Sequence, residues 1–170
     1  KFDMFMEAIL HEENGNGGVP GFQDGLHAGF CIAAPTLLNY GSPKMKKEIL
    51  PDILRGNKRI CLAITEPFVG SDVAGLKCRA VKSADGKHYI VSGVKKWISG
   101  GLDSDYFVTA VRTGTQPGAA GVSLLLIERS EGLSTKIIKT SYAASAGTAY
   151  VTMENVKVPV ENLLGKENHG

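Results

Sequence analysis

Residues 61–72 read CLAITEPFVGSD, an apolar run that passes into a short loop of hydroxyl and carboxylate side chains. Pro67 has no backbone N–H to donate, so a strand over the apolar run is expected to end there. Gly70 allows the backbone to turn and to approach another group closely. Two interpretations follow. Either Ser71 or Asp72 caps the loop through local backbone bonds, or successive N–H groups and the Ser71 hydroxyl hold an anion.

A second stretch, GVKKWISGG at residues 93–101, ends in the same way, with a hydroxyl beside glycine. It contains Trp97, the sole tryptophan of the chain. Indole offers a flat apolar face, Ser99 offers a donor next to it, and the glycines leave room for a bulky planar group. Taken alone, however, the stretch favours a tryptophan buried in the core.

Short β-branched segments separated by turn residues follow one another from residue 59 onward. They predict strands at 59–66, 77–82, 88–92, 94–98, 106–112, 122–128, 135–138 and 150–158. The pair Asp85–Gly86 is typical of a tight hairpin, and Ser92–Gly93 is a weaker turn signal. Strands at this spacing, with no helix between them, favour an antiparallel barrel or sandwich.

The first third of the chain has helical patterns instead. Apolar residues recur at the spacing of one helical face at Phe2, Phe5, Met6, Ile9 and Leu10. A second helix is predicted over about 26–39, with Pro35 at a kink or in a first turn. Ser42–Pro43 predicts another helix start, and a short turn follows at 51–54. The fold class is therefore α+β, with a helical segment over 1–58 and a β domain over 59–170.

Composition excludes several classes of function. With 170 residues, 43% of them hydrophobic, the chain can form a core. Its net charge of +2 does not indicate a nucleic acid partner, and no apolar run approaches the roughly 20 residues of a membrane span. No metal site is predicted. Cys31, Cys61 and Cys78 lie in apolar surroundings and are predicted to be buried and reduced, which indicates an intracellular protein of undetermined compartment.

The two quoted stretches together resemble the signatures of the acyl-CoA dehydrogenase family. AITEP at 63–67 with GSD at 70–72 is similar to its first signature, and 93–101 is similar to its second. Three further segments agree in order: YGS at 40–42, GLK at 75–77 and ENVKVPVENLLG at 154–165. The resemblance covers nearly the whole chain, and the motifs are specific jointly rather than singly.

The resemblance implies an architecture and a cofactor. It identifies 1–58 as the last helices of the family's N-terminal helical domain and 59–170 as its middle β-barrel. The C-terminal four-helix bundle is not matched, so a fragment is expected, as the start at Lys1 also suggests. The family binds FAD, and the implied cofactor-binding residues are Leu62, Ile64, Thr65, Gly70, Ser71, Trp97, Ile98 and Ser99. Ser71 is also implied to contact the acyl-CoA substrate, and Leu37, Leu38 and the loop near 141–143 are further candidates for that contact.

The individual roles also follow from the resemblance. Thr65 would bond the pyrimidine edge of the flavin, Ser71 would lie near its pyrophosphate, Trp97 would lie against the isoalloxazine, and Ser99 would point near N5. The chain departs from the family pattern at several positions. Ser99 stands where threonine is common, Leu62 where an aromatic residue is frequent, and 140–146 lacks the usual larger polar residues.

The implied reaction is α,β-dehydrogenation of an acyl-CoA thioester by an enzyme that forms homo-oligomers. Its base is a glutamate of the unmatched bundle, so this chain is expected to be inactive alone, and Glu66 is expected to be structural. Two alternatives stay open: a flavin oxidase or monooxygenase of the same fold, and a non-catalytic module whose uncovered apolar face drives oligomerisation.

Overall fold

Helices form the first part of the chain in the structure, a computed structural model that describes residues 3–19, 21–141 and 144–170. They are α1 (Met4–Asn16), α2 (Phe22–His27), a π-helical segment (Ala28–Ala33), α3 (Ala34–Tyr40), α4 (Pro43–Glu48) and α5 (Leu50–Leu54). Phe2, counted in the predicted face of the first helix, lies outside the described residues.

Local capping explains where two of these helices begin. The Asp3 carboxylate accepts from the backbone N–H groups of Phe5 and Met6 at the start of α1. Ser42 accepts from the N–H of Met45 at 3.2 Å, and Pro43 occupies the first turn, so the predicted start of α4 is confirmed.

The single helix predicted over about 26–39 is instead three segments. Pro35 lies in the first turn of α3, directly after the π-helical segment. There the N–H of Ala34 donates to the carbonyl of Gly29, five residues earlier. Because proline has no N–H to give, the regular α-helical bonding pattern cannot run through this point.

Eight strands follow in the part of the chain that the structure describes. They are β1 (Ile60–Ala63), β2 (Arg79–Lys82), β3 (His88–Ile98), β4 (Tyr106–Arg112), β5 (Val122–Glu128), β6 (Leu133–Ile137), β7 (Ala149–Pro159) and β8 (Leu163–Leu164). Their order is β6-β7-β3-β2-β4-β5-β8, and β1 pairs with β4. The predicted α+β class is confirmed.

The sheet departs from the predicted antiparallel barrel in two details. Strand β1 runs parallel to β4, and β2 meets β4 in parallel at Arg79 and Arg112, so the sheet is mixed. Among the described strands, β6 and β8 lie at opposite ends of the pairing order and do not close a ring. The connection from β1 to β2 is long enough to return the chain alongside the same neighbour, which a tight hairpin cannot do.

Strand β3 is continuous where two strands were predicted. Its register against β7 shifts between Val91 and Gly93, which is a bulge rather than a turn. Gly93 has φ 156°, and a Cβ there would lie 2.7 Å from Cα of Cys78. The glycine therefore permits a close approach of β2 to β3.

Two apolar clusters place the sheet and the helices. One lies within the sheet and includes Cys61, Cys78, Phe107 and Leu125. The other joins α3, α4 and α5 to the opposite face of the sheet; its members include Leu37, Met45, Ile53, Ile60, Val108 and Leu126. The helices thus pack on one face of β1, β4 and β5. Strand β1 is therefore held in place by helix contacts on that face.

Some predicted burial does not occur. Cys61 and Cys78 are buried as predicted, but Cys31 is exposed, because it lies on the part of the π-helical segment that turns away from the sheet. Helix α1 has no buried residue, and its apolar side chains are exposed. In the part of the chain described, no helix is long and apolar enough to cross a membrane, and no cluster of three candidate metal ligands occurs.

Candidate functional site

The loop after β1 is closed by its own small bridge. Glu66 and Val69 exchange backbone hydrogen bonds of 2.9 and 3.2 Å, which turns the chain over Pro67 and Phe68. Phe68 at the tip is 93% exposed, whereas Val69 is buried. Gly70 and Ser71 then leave the bridge on the exposed side. The residues predicted to contact a phosphate are therefore accessible.

The end of β3 presents the tryptophan to solvent. Trp97 has φ 65°, a left-handed conformation that bulky residues seldom adopt. The register against β7 shifts between Lys95 and Ile98 at this point. Because of this second bulge the indole is 52% exposed, and the interpretation of Trp97 as a core residue is wrong. A strained aromatic residue on an exposed rim is an arrangement found at functional sites.

The two stretches lie side by side. The backbone N–H of Lys96 donates to the carbonyl oxygen of Thr65 at 2.8 Å, and Lys95 Nζ donates to the carbonyl oxygen of Ile64 at 2.9 Å. Thr65 is half-buried beside the exposed Trp97. The structure thus brings together the residues that the sequence placed in one site from positions 32 apart.

The other candidate site residues fall into two groups. Leu62, Ile64 and Ser99 are half-buried at this rim, so part of each is accessible. Ile98 is only 2% exposed and packs in the cluster within the sheet, so its side chain is not open to a ligand. Of the predicted substrate contacts, Leu37 is fully buried under the helices, Leu38 is exposed, and 142–143 lie outside the described residues.

Glu66 lies in the loop at this rim, and both oxygens of its carboxylate accept hydrogen bonds. It accepts from the backbone N–H of Lys77 at 2.7 Å, from that of Cys78 at 2.9 Å, and from Lys95 Nζ at 2.8 Å. Burial by itself would raise the pKa of Glu66, but the Lys95 and backbone donors outweigh it and hold the pKa below its ordinary value. A carboxylate held in this way is a poor base.

Sequence reasoning missed Lys95. Its side chain is fully buried, which is rare for lysine, and its ammonium group bonds both Glu66 and the Ile64 carbonyl. The alternation set by Tyr89 and Val91 does place residue 95 inward, but a lysine is not expected at a buried position unless it has a partner, and that partner comes from a separate loop.

The rim meets the physical requirements of a flavin nucleotide. Trp97 is 52% exposed and offers an aromatic surface for a ring, with Lys96 Nζ 4.6 Å from the centroid of the indole. Within the described residues, no protein hydrogen bond uses the N–H groups of Gly70 and Ser71 or the Ser71 hydroxyl, so these donors are open to a phosphate. A Cβ built on Gly70 meets nothing within 4 Å, so the protein itself does not fill the space over it. The interpretation of this loop as locally capped by Ser71 has no such bond to support it.

A cavity of about 360 Å³ lies next to the rim, between α2 and the loops that follow β3 and precede β7. Its lining includes the apolar side chains of Phe22, Leu26 and Ile60, and also Gly100 and Asp103. Gly100 directly follows Ser99 in the chain, which connects the lining of this cavity to the rim.

Comparison with known proteins gives a consistent result. Residues 61–156 match the family model described as acyl-CoA dehydrogenase, middle domain. The chain is 46% identical over 172 aligned positions to the acyl-CoA dehydrogenase apdG of Emericella nidulans, covering 100% of this chain and 39% of that protein.

Solved structures agree. The crystal structure of an acyl-CoA dehydrogenase from Geobacillus kaustophilus superposes with a TM-score of 0.75 at 36% identity, covering 81% of this chain and 37% of that one. The structure of butyryl-CoA dehydrogenase from Megasphaera elsdenii superposes with a TM-score of 0.84 at 28% identity, covering 88% of this chain and 39% of that one. The chain therefore spans about two fifths of the length of these relatives.

Proposed function

The chain belongs to the acyl-CoA dehydrogenase family, and from this premise we propose that it forms the flavin-binding wall of an FAD-dependent enzyme that dehydrogenates acyl-CoA thioesters between Cα and Cβ. The observation that supports this most directly is the meeting of the two loops, with Lys96 N–H bonded to the Thr65 carbonyl at 2.8 Å. It joins an exposed indole to an exposed Gly70–Ser71 turn.

In this proposal each accessible residue of the rim has a role. Trp97 would support the ring system, and the Thr65 and Ser99 hydroxyls would bond its polar edges. Gly70 would admit the pyrophosphate closely, and the N–H groups of Gly70 and Ser71 would neutralise part of its charge. When bound, FAD accepts the hydrogen from Cβ as a hydride, and the protein supplies position and polarity.

The base that removes the α-proton is not Glu66. Three donors hold that carboxylate in its ionised form with a lowered pKa, whereas a useful base needs a pKa near the working pH. We propose that the base comes from a segment beyond the 170 residues, as the bundle of the family would provide it.

Titration of this chain with FAD tests the proposal, and Trp97 emission is the readout because the chain has one tryptophan. A single wall should bind FAD too weakly to retain it on purification, yet FAD should quench Trp97 with saturation below about 1 mM, which corresponds to about 4 kcal/mol. Data are corrected for FAD absorption with free N-acetyltryptophanamide.

The variant S71A should weaken this quenching several-fold, since it removes a donor to the pyrophosphate. The matched control is S134A, an exposed serine of β6 away from the rim. Absence of saturable quenching up to 1 mM, or equal curves for S71A and S134A, would overturn the proposed binding wall.

A further inference from the structure

A buried ion pair lies directly beneath the candidate cradle, defined here as residues 64–71 together with Lys96–Ser99. Lys95 is fully buried and Glu66 is only 7% exposed, and their charged atoms are 2.8 Å apart. Within the described residues, every buried side-chain polar atom has at least one partner, so neither charged group of the pair is left unpaired.

The pair connects four segments of the chain. Lys95 lies in β3, and its ammonium also bonds the Ile64 carbonyl at the end of β1. Glu66 lies in the loop after β1, and its carboxylate also bonds the N–H groups of Lys77 and Cys78, which lead into β2. No other ion pair of the described residues is buried in this way; the remaining pairs are partly or fully exposed.

Such a pair contributes little net stability to a fold. Removing two charges from water costs about as much as their attraction returns, and apolar replacements of both partners are often neutral or stabilising. The best-attested use of a buried pair is to select one arrangement among several. The question is then which arrangement this pair selects.

The neighbours of the two residues answer that question. Lys95 stands at the bulge that turns Trp97 outward, two positions before it. Glu66 begins the Glu66–Val69 bridge, and Gly70 and Ser71 follow that bridge directly. The ion pair therefore links the indole side and the phosphate side of the cradle through side chains.

We propose that Glu66 and Lys95 are positioning residues that hold the two sides of the cradle in one geometry before FAD arrives. This inference rests on the proposed function for the identity of the ligand. Neither side chain contacts the ligand; each acts through the backbone of the residues beside it. When the two loops already have the bound geometry, less free energy is needed to order them on binding. Removal of the ion pair should therefore weaken the affinity for FAD.

The decisive variant replaces both charges. E66Q/K95M keeps the side-chain volumes and removes both charges, so it should resist urea better than either single variant, although the glutamine amide keeps only one of the two oxygens that accept from Lys77 and Cys78. We expect its FAD affinity, measured by Trp97 quenching, to fall about tenfold or more, which is the size of loss seen when supporting partners are removed from metal sites. The single variants E66Q and K95M should unfold more easily, because each leaves one buried group without its partner.

The matched control is the exposed pair Lys82–Glu167, whose charged atoms are 2.7 Å apart. K82M/E167Q should change neither urea stability nor Trp97 quenching. If E66Q/K95M regains stability and also binds FAD like the original chain, the pair is structural only and the inference is wrong.

Amide hydrogen exchange of the unaltered chain gives a second test, independent of any variant. Preformed geometry predicts that the amides of Lys77, Cys78 and Lys96 are protected without FAD and change little when it is added. Fast exchange that becomes slow only with FAD would overturn the inference, even if the double variant failed to fold. If these amides are protected but FAD does not quench Trp97 emission, the proposed function is contradicted, whereas the positioning of the loop by the ion pair is not.

Discussion

Gly70 and Gly93 show two different reasons for glycine at the same end of the sheet. A Cβ on Gly93 would overlap Cys78, and the backbone of Gly93 has a φ of 156°, which glycine adopts readily. At Gly70 no atom would meet a Cβ, and the backbone φ is not positive. We expect G93A to lower the free energy of unfolding by at least about 2 kcal/mol. By contrast, G70A should change it by less than about 1 kcal/mol.

Urea unfolding followed by circular dichroism measures both values. G70A should nevertheless weaken FAD quenching of Trp97, because the new methyl group would occupy space open to the ligand. Equal stability losses in the two variants would contradict this assignment of roles.

The three thiols should differ sharply in reactivity. Burial raises the pKa of Cys61 to about 12 and that of Cys78 to about 11, whereas Cys31 is exposed. Since the thiolate is the reactive form, one thiol per chain should react rapidly with Ellman's reagent at pH 8, and all three should react in denaturant. C31S should abolish the rapid phase; rapid reaction of a second thiol would show that the sheet core is open.

At the scale of the elements, the loop after β1 should carry a distinct acid dependence. The folded-state pKa of Glu66 lies below its unfolded value, which is about 4.3 for a free glutamate. Its contribution to stability is therefore fully present above about pH 4.3 and is lost as pH falls through the folded pKa.

Urea midpoints measured from pH 6 to pH 3 should consequently fall less steeply for E66Q than for the original chain. E154Q, at an exposed glutamate of β7, is the matched control and should keep the original slope. If E66Q and E154Q showed the same slope, Glu66 would not be the source of the dependence.

Helix α1 should contribute little to stability. It buries none of its residues, and one described contact to α2 is the edge-on stacking of His11 on His27. Deletion of residues 1–16 should therefore change the free energy of unfolding by less than about 0.5 kcal/mol. A larger loss in thermal or urea unfolding would show that α1 packs on the remainder of the chain.

For the whole molecule, exposed apolar side chains predict self-association. Met4, Phe5, Phe68 and Leu54 are each more than 60% exposed, and soluble monomers seldom leave many such groups uncovered. Sedimentation velocity should show a mass above the 18.1 kDa of one chain that rises with concentration, and deletion of residues 1–16 should reduce it. A single monomer at all concentrations would contradict this prediction.

We also expect the 170 residues alone to show no acyl-CoA turnover with a dye acceptor. In the proposed function the cradle forms one wall of the site, and the Glu66 carboxylate within it is committed to structure. Any turnover above a blank that S71A abolishes would show that these residues contain a base of their own.

Much of the fold could be predicted because its signals are local. Strands β4 and β5 have the predicted bounds, and Ser42–Pro43 begins α4, since alternation and capping depend on neighbouring residues only. The two loop motifs sufficed to indicate the family and to nominate Thr65, Ser71 and Trp97.

The remainder was decided by contacts between distant residues. Whether β1 pairs in parallel with β4 depends on the path of a long connection, and the bulge in β3 between Lys95 and Ile98 resets which side chains face inward. This bulge exposes Trp97, and beside it Lys95 is buried with Glu66 only 2.8 Å away. The sequence by itself determined the two loop motifs from which the residues of the candidate cradle were nominated. Tertiary structure alone decided that a buried charge pair lies beneath it, because a charge can be buried only where its partner is brought to meet it.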